Sequence, residues 1–404
     1  MKRSTVTLFS LLVVATTAEA QDTTAIAVDT SYVEYNDSPF SLPLGIGLRI
    51  PTYDRVNGLT IPWGPKIETS NGRIEADLLV SYRSHLGSWD PSFEGVLRPG
   101  DANELRFFVG RGTFTNDAWI RNDLLNSLAA LFVGSDARNY YRSDKAFLRL
   151  SHAFMPGSTV WTPFFGLNFE RDWSTGDIVP TKSPWSFFGR TGRLRMRRAN
   201  PPIDRGHIAS FSLGTGLELA KGDLESKFNA ELERSIDTQF DPINCAPSPV
   251  GPICVVPRDA FTQATFDGSL RFPTFGTQTF TFTGHAVWSA ATIAPAQRFA
   301  YLGGAGTLAT VDLLALGGDR LLFLQGDYKI PLEKIQIPIA GSPYVMLRYA
   351  AGNAGVGQLP SLIQNLGVGV GIAFLRVDFT IDPASNRSPF SHRSAVTFGA
   401  DLSF

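Results

Sequence analysis

The chain has 404 residues, with 36 basic and 37 acidic side chains and a net charge of −1. This near-neutral balance does not show the excess of basic residues that is typical of nucleic-acid-binding proteins or of a basic membrane-binding patch. Four Met and 18% charged residues argue against a helical bundle, whereas 38 Gly and 30 Phe suit lipid-facing strands joined by tight turns.

The amino terminus has the pattern of a secretory signal peptide. Met1-Lys2-Arg3 is basic, Leu8 to Ala15 is an apolar run too short to span a bilayer, and Ala18-Glu19-Ala20 is a small-x-small cleavage pattern. We therefore expect residues 1–20 to be a signal peptide, and a membrane-anchoring first helix is the alternative. No later apolar run reaches the ~18 residues that a spanning helix needs.

Most of the remaining sequence alternates between apolar and polar residues. In DLESKFNAELE, residues 223–233, charged or polar side chains stand at every second position. A surface helix cannot place charges in this way, whereas a barrel strand with a polar lumen does. About sixteen such strands are predicted, at 57–66, 72–83, 89–98, 103–113, 141–153, 158–171, 183–197, 206–219, 222–235, 260–272, 277–290, 318–331, 342–350, 363–373, 374–382 and 393–404.

This pattern predicts an all-β fold, a transmembrane antiparallel β-barrel over residues 57–404, preceded by a periplasmic segment over residues 21–56. The expected lumen charges are of mixed sign: Arg73, Glu75, Asp77, Glu225, Lys227, Glu231, Glu233, Arg376 and Asp378. These charges either line a pore or pair with one another across a packed lumen.

One helix is predicted between the fourth and fifth strands, from Asn116 to Phe132. Apolar residues recur there at helical spacing after an Asn-Asp start. With both chain termini in the periplasm, strand parity places this helix on the periplasmic side. The same parity places the longer loops, 236–259 and 291–317, on the outer side. The helix could cross the inner mouth of the barrel or lie on its rim.

Two cysteines, Cys245 and Cys254, lie in the Pro-rich outer loop. In an exported protein such a pair predicts one small disulfide. A metal site is the alternative, but it would need further ligands nearby. We expect no cofactor.

The last strand, SAVTFGADLSF, ends on an aromatic residue. One face is apolar, and its members Val396, Phe398, Leu402 and Phe404 are expected to face lipid in the strand that closes the barrel. A bacterial outer-membrane barrel ends in this way, which predicts the outer membrane of a Gram-negative-type bacterium and contact with outer-membrane lipid.

The segment from Arg298 to Leu332 has a Gly-Gly-Asp turn followed by an acidic-aromatic-basic-x-Pro run, Asp327 to Pro331. With these motifs the segment resembles the most recognisable stretch of the BamA/TamA/FhaC surface-antigen superfamily. The resemblance implies that the sixth outer loop folds back into the lumen, and the residues that would form this loop motif are Leu302, Gly303, Gly304, Gly306, Thr307, Leu308, Gly318 and Asp319.

The chain departs from the family pattern in two respects. The family has an Arg-Gly-aromatic tip after Gly-Thr-Leu, whereas this chain has Ala309-Thr310-Val311, so the arginine anchor of the loop is expected to be absent. The POTRA modules that capture client polypeptides are also not expected, because residues 21–56 are too few for one of them.

The resemblance implies protein insertion or translocation across the outer membrane, with a separate periplasmic protein supplying the missing capture domain. It also implies that the chain is a client of the outer-membrane assembly machinery. A passive pore for small solutes and a structural protein without transport activity are the alternatives. An enzyme is not expected, because the five histidines are scattered and no Gly-x-Ser-x-Gly motif occurs.

Overall fold

The computed structural model describes residues 40–175, 198–241, 260–290, 292–338, 340–373, 375–384 and 390–400. The predicted signal peptide, both cysteines, Leu402 and Phe404 lie outside these ranges. Within them, nearly all regular structure belongs to antiparallel strands, and no helix has the length and apolarity that crossing a membrane requires.

The sheet begins with two broken strands. β1 (Phe40–Ser41) pairs with β4 (Lys66–Glu68), and β2 (Thr52–Asp54) pairs with β3 (Gly58–Trp63). Both β3 and β4 then pair with the following strand, so residues 40–54 and 58–68 fill two positions of the sheet. Residues 40–54, which were expected to precede the barrel, thus contribute strands to the sheet.

A meander continues from these two positions, each strand pairing with the next. Its strands are β5 (Ile74–Arg83), β6 (Ser88–Leu97), β7 (Asn103–Phe114), β8 (Tyr141–His152), β9 (Thr159–Ser174), β10 (Gly206–Lys221), β11 (Leu224–Phe240), β12 (Thr262–Pro273) and β13 (Thr279–Ala290). A small separate ladder follows, of β14 (Ala300–Leu302) and β15 (Leu316–Gly318).

The meander resumes after that ladder, because β13 pairs directly with β16. The last strands are β16 (Arg320–Pro331), β17 (Tyr344–Gly355), β18 (Ile363–Ile372), β19 (Leu375–Ile381) and β20 (Ser394–Ala400). With the two broken strands, the described sheet has sixteen positions. The predicted all-β antiparallel barrel of about sixteen strands is confirmed.

The route to this count differs from the prediction at two places. Residues 183–197, predicted as the seventh strand, lie outside the described residues, and in the described sheet β9 pairs directly with β10. The unpredicted strand at residues 40–54 brings the total to sixteen positions. Every strand of the meander from β10 onward therefore has its predicted ordinal position, whereas β14 and β15 were not predicted.

The predicted placement of the helix on the periplasmic side rested on a strand number that is one too low. β7 is the fifth strand, so the connection from β7 to β8 leaves the same end of the sheet as the connection from β13 to β16. This end carries the long loops. The helix α1 (Asp123–Leu128) starts later than predicted, at the N-cap Asn122, and continues as a π-helical turn, Ala129–Val133.

The strands present an apolar outer face, as the alternation predicts. On β18 and β19, Leu366, Val368, Val370, Val377 and Phe379 are exposed, whereas the residues between them are mostly buried or half-buried. A continuous exposed apolar face of this kind is typical of a barrel that contacts lipid.

The apolar outer face of β18 predicts that a charged residue placed on it lowers the free energy of unfolding in lipid. Val368 lies in the middle of β18, and Val356 lies in a loop; each is 50% exposed. We expect Val368→Arg to lower the free energy of unfolding in lipid vesicles by about 2–4 kcal/mol, because an arginine near the midplane is poorly solvated. Val356→Arg is the matched control and should cost much less. Equal costs in a denaturant titration would contradict a lipid-facing β18.

Candidate functional site

The loop between β13 and β16, residues 292–319, packs on the buried face of the strands, opposite their exposed apolar face, and we call it the plug loop. Leu302 and Leu308 are fully buried in a cluster with wall residues of β13, β16 and β17, namely Val287, Leu321, Phe323, Ala350 and Ala354. Burying each leucine contributes about 1.5–3 kcal/mol. The resemblance implied a loop that folds back into the lumen, and the described residues show contacts between this loop and three strands of the wall.

Arg298 anchors the start of the plug loop to the barrel wall. Its Nε and Nη2 atoms donate to the two carboxylate oxygens of Glu233 on β11, at 2.8 and 2.9 Å. The same guanidinium forms an ion pair with Glu170 on β9, a fully buried side chain that also lies 3.4 Å from Lys145 Nζ. The plug loop is therefore held by charge, although the arginine expected in the family's tip motif is absent.

Burial and charge act in opposite directions on this arginine. Burial lowers the pKa of Arg298, but the carboxylates of Glu170 and Glu233 more than offset it, so the pKa rises above its ordinary value. The guanidinium stays charged. Glu233 was among the predicted lumen charges, whereas Arg298 and Glu170 were not, because their partners are far away in the sequence.

The tip of the plug loop is bound to the last strands. The Thr310 N–H donates to Asn365 Oδ1 on β18 at 3.1 Å, and Asn365 Nδ2 donates back to Thr310 Oγ1 at 2.8 Å. The His392 N–H donates to the Thr310 carbonyl at 2.6 Å, just before β20. One loop thus contacts β9, β11 and the carboxy-terminal strands, which requires the sheet to curl around it.

The predicted motif residues shape this loop. Gly303 and Gly304 have φ of 125° and 85°, a region that side chains rarely adopt. Thr307 Oγ1 accepts the Gly303 N–H at 2.9 Å. Asp319 is fully buried and accepts N–H groups of Ala294 and Gly357, at 3.2 and 2.7 Å, so it closes the base of the loop. A Cβ on Gly318 would collide with the backbone of Gly355.

The wall charges pair with one another. Of the nine charges predicted to face the lumen, eight form ion pairs; Arg73 lies in a turn. Examples are Glu231 with Arg149 at 3.1 Å and Asp378 with Arg376 at 2.8 Å. A cavity of ≈ 340 Å³ remains beside the plug, lined by both charges and aromatic rings, among them Lys227, Asp267, Trp119 and Phe323.

The remaining predicted site residues are only partly described. Val396 and Phe398 on β20 are 59% and 77% exposed, as expected for the outer face. Within residues 40–54 and 394–400, no ladder joins the first strand to β20. The disulfide of Cys245 and Cys254 stays a prediction. Among the described residues, no group of His, Cys, Asp and Glu side chains could hold a metal ion.

Comparison with solved structures identifies the class of fold. No family model matches the sequence, and no curated protein is significantly similar to it. The crystal structure of BamA from Haemophilus ducreyi lacking POTRA domains 1-3 matches with a TM-score of 0.50 and 12% identity, over 86% of this chain and 68% of that one. CdiB from Escherichia coli matches with a TM-score of 0.49 and 13% identity, over 87% of this chain.

The chain spans only 60% of the length of CdiB. At 12% identity the BamA match establishes a shared fold. The chain therefore folds as a BamA-like β-barrel, and the fold that the sequence resemblance implied is confirmed.

The anchor predicts a large loss of stability when Arg298 is removed. Arg298→Ala leaves Glu170 buried without its guanidinium, which should cost about 3–5 kcal/mol. Arg205→Ala is the matched control, because Arg205 and Asp241 form an exposed ion pair, worth at most about 1 kcal/mol. Denaturant unfolding followed by tryptophan fluorescence measures both. Equal losses for the two variants would show that Arg298 does not anchor the loop.

A second prediction concerns Asp117, a buried carboxyl in the connection from β7 to α1. Burial raises its pKa from 3.8 to about 7, although N–H groups of Asn139 and Tyr301 favour the charged form. Between about pH 4 and pH 7, Asp117 therefore holds a proton in the folded protein that it releases in the unfolded chain. The contribution of Asp117 to stability should fall as pH rises from about 4 to 7, by at most about 1.4 kcal/mol per pH unit.

Unfolding at pH 5 and pH 8 tests this dependence. The wild type should lose more stability than Asp117→Asn over this interval, because the amide does not titrate. Asp123→Asn, which changes an exposed carboxyl in α1, should keep the wild-type dependence. The same pH dependence in wild type and Asp117→Asn would refute a raised pKa at Asp117.

Proposed function

We propose that this protein is an outer-membrane barrel that inserts or translocates polypeptides, with the plug loop controlling the lumen. The observation that carries the proposal is the anchored loop itself. Arg298, paired with Glu170 and Glu233, holds an apolar loop inside a barrel in which eight of the nine predicted lumen charges form ion pairs. Such a lumen is closed at rest and has a defined element that can move.

The outer-membrane location rests on three features. The outer face of β18 and β19 is apolar, the sequence has a signal-peptide pattern, and the fold is BamA-like. The segment from Arg298 to Leu332 resembles the surface-antigen superfamily, and this resemblance favours polypeptides as the cargo. A separate periplasmic protein would supply client capture, and the chain itself would be a client of the assembly machinery.

A passive pore is less well supported. A pore needs an open path, whereas the plug loop fills part of this lumen and most wall charges are neutralised by partners. Planar-bilayer recording separates the two functions, since a passive pore conducts without any client. An enzyme is also disfavoured: His285, for example, is bonded to Asp267 at 2.6 Å and stacked on Trp119, which is a packing role.

Depletion of the protein in its own bacterium tests the proposal. We expect the abundance of at least one other outer-membrane or surface protein to fall, as measured by quantitative proteomics of the membrane fraction. Wild type and Arg205→Ala should restore that abundance. Arg298→Ala, produced to the same level, should restore it incompletely because the loop loses its anchor.

Unchanged levels of all other outer-membrane and surface proteins after depletion would overturn polypeptide handling. Restoration by Arg298→Ala as complete as by wild type would instead show that the anchored loop has no part in the activity.

A further inference from the structure

The segment between β7 and α1, residues 115–122, lies against the plug loop. The Asn116 Nδ2 atom donates to the carbonyl oxygens of Gln297, at 2.5 Å, and Phe299, at 3.1 Å. These two residues flank Arg298 in the sequence. One side-chain amide therefore fixes the backbone on both sides of the arginine that anchors the loop.

Asp117 extends this contact along the loop. Its Oδ1 atom accepts the Tyr301 N–H at 3.1 Å, and its Oδ2 atom accepts the Asn139 N–H, just before β8, at 2.7 Å. The carboxyl is 1% exposed. Because its two oxygens have different partners, Asp117 connects the plug loop to the start of β8.

Trp119 and Ile120 continue the same surface into the lumen. The Trp119 indole stacks on His285 of β13, with ring centroids 4.1 Å apart, and packs on Phe323 of β16. It also borders the buried cluster that contains Leu302 and Leu308. A Cβ built on Gly306 would lie 3.1 Å from Ile120, so the loop tip and the segment are in direct contact.

We propose that residues 115–122 and the plug loop form a two-part plug, in which Asn116 and Asp117 are positioning residues that keep Arg298 on Glu170 and Glu233. The inference deepens the proposed function and rests on its view of the plug loop. It adds that the loop leaves the lumen only when its contacts with residues 115–122 break. Deleting those contacts should free the loop even though Arg298 is intact.

Other residues also hold the start of the loop and provide a rival explanation. Asp204 Oδ2 accepts the Ala296 N–H at 2.8 Å, and Gln263 Nε2 donates to the Arg298 carbonyl at 3.1 Å. If these two contacts and the ion pairs are sufficient, losing Asn116 and Asp117 leaves the loop in place.

Hydrogen exchange of the full chain in lipid vesicles tests the two-part plug. The readout is the exchange rate of backbone N–H groups in peptides that cover residues 299–312. In the double variant Asn116→Ala/Asp117→Ala we expect these groups to exchange about tenfold faster or more. Peptides from β16 to β18 should keep wild-type rates, which verifies that the barrel is folded. Asp123→Ala, an exposed carboxyl of the same connection, should stay within about twofold of wild type.

Planar-bilayer conductance distinguishes release of the plug loop from a general loss of stability, which would not open the lumen of a folded barrel. The double variant should show open events that are rare in wild type, and Asp117→Asn, which retains a carbonyl acceptor, should restore most of the closed behaviour. Faster exchange in Arg298→Ala but not in the double variant would overturn the two-part plug and leave the proposed function standing. Rapid exchange of residues 299–312 in wild type would overturn both, because the loop would then lie outside the lumen.

Discussion

The pairing of Arg298 with Glu170 and Glu233 determines where the plug loop can lie. A buried charge is costly unless it is paired, and the carboxylates that can pair with this one stand on β9 and β11. The loop is therefore held against that side of the barrel at its start. Its apolar residues Leu302 and Leu308 then meet the wall of β16 and β17. Charge fixes the position, and apolar packing fills the space.

The strands were predictable because two different environments act on their faces. Lipid on one side and a polar lumen on the other impose apolar and polar residues at alternate positions. Every strand of the meander from β10 onward begins and ends within about five residues of its prediction. The first strand was missed because it is broken. A 3-10 turn at Pro43–Gly45, with Leu44 at φ 56°, interrupts the alternation that would have indicated a strand.

The anchor could not be predicted, because its members are brought together only by the curvature of the sheet. Glu170 and Arg298 each look like ordinary polar residues of a barrel strand and a loop. The segment NDAWIRND shows a related difficulty, since it contains two Asn-Asp pairs that both resemble helix starts. Asn122 is the true N-cap and accepts the Leu125 N–H, whereas Asn116 binds the plug loop. Local propensity is the same at both positions, and only tertiary contacts distinguish them.

The two ends of the plug loop have different partners, which has a mechanical consequence. At the start of the loop, Arg298 contacts strands in the middle of the meander. At its tip, Thr310 contacts Asn365 on β18 and the backbone of His392, just before β20. The Thr310 contacts are neutral hydrogen bonds, worth about 0.5–1.5 kcal/mol each, and the nearby pair of Asp312 and His392 is exposed. Breaking the buried ion pairs of Arg298 costs several times more. A displacement of the loop should therefore begin at its tip. Because the tip is bonded beside β20, the last strand would lose that support before the anchor at Arg298 is broken.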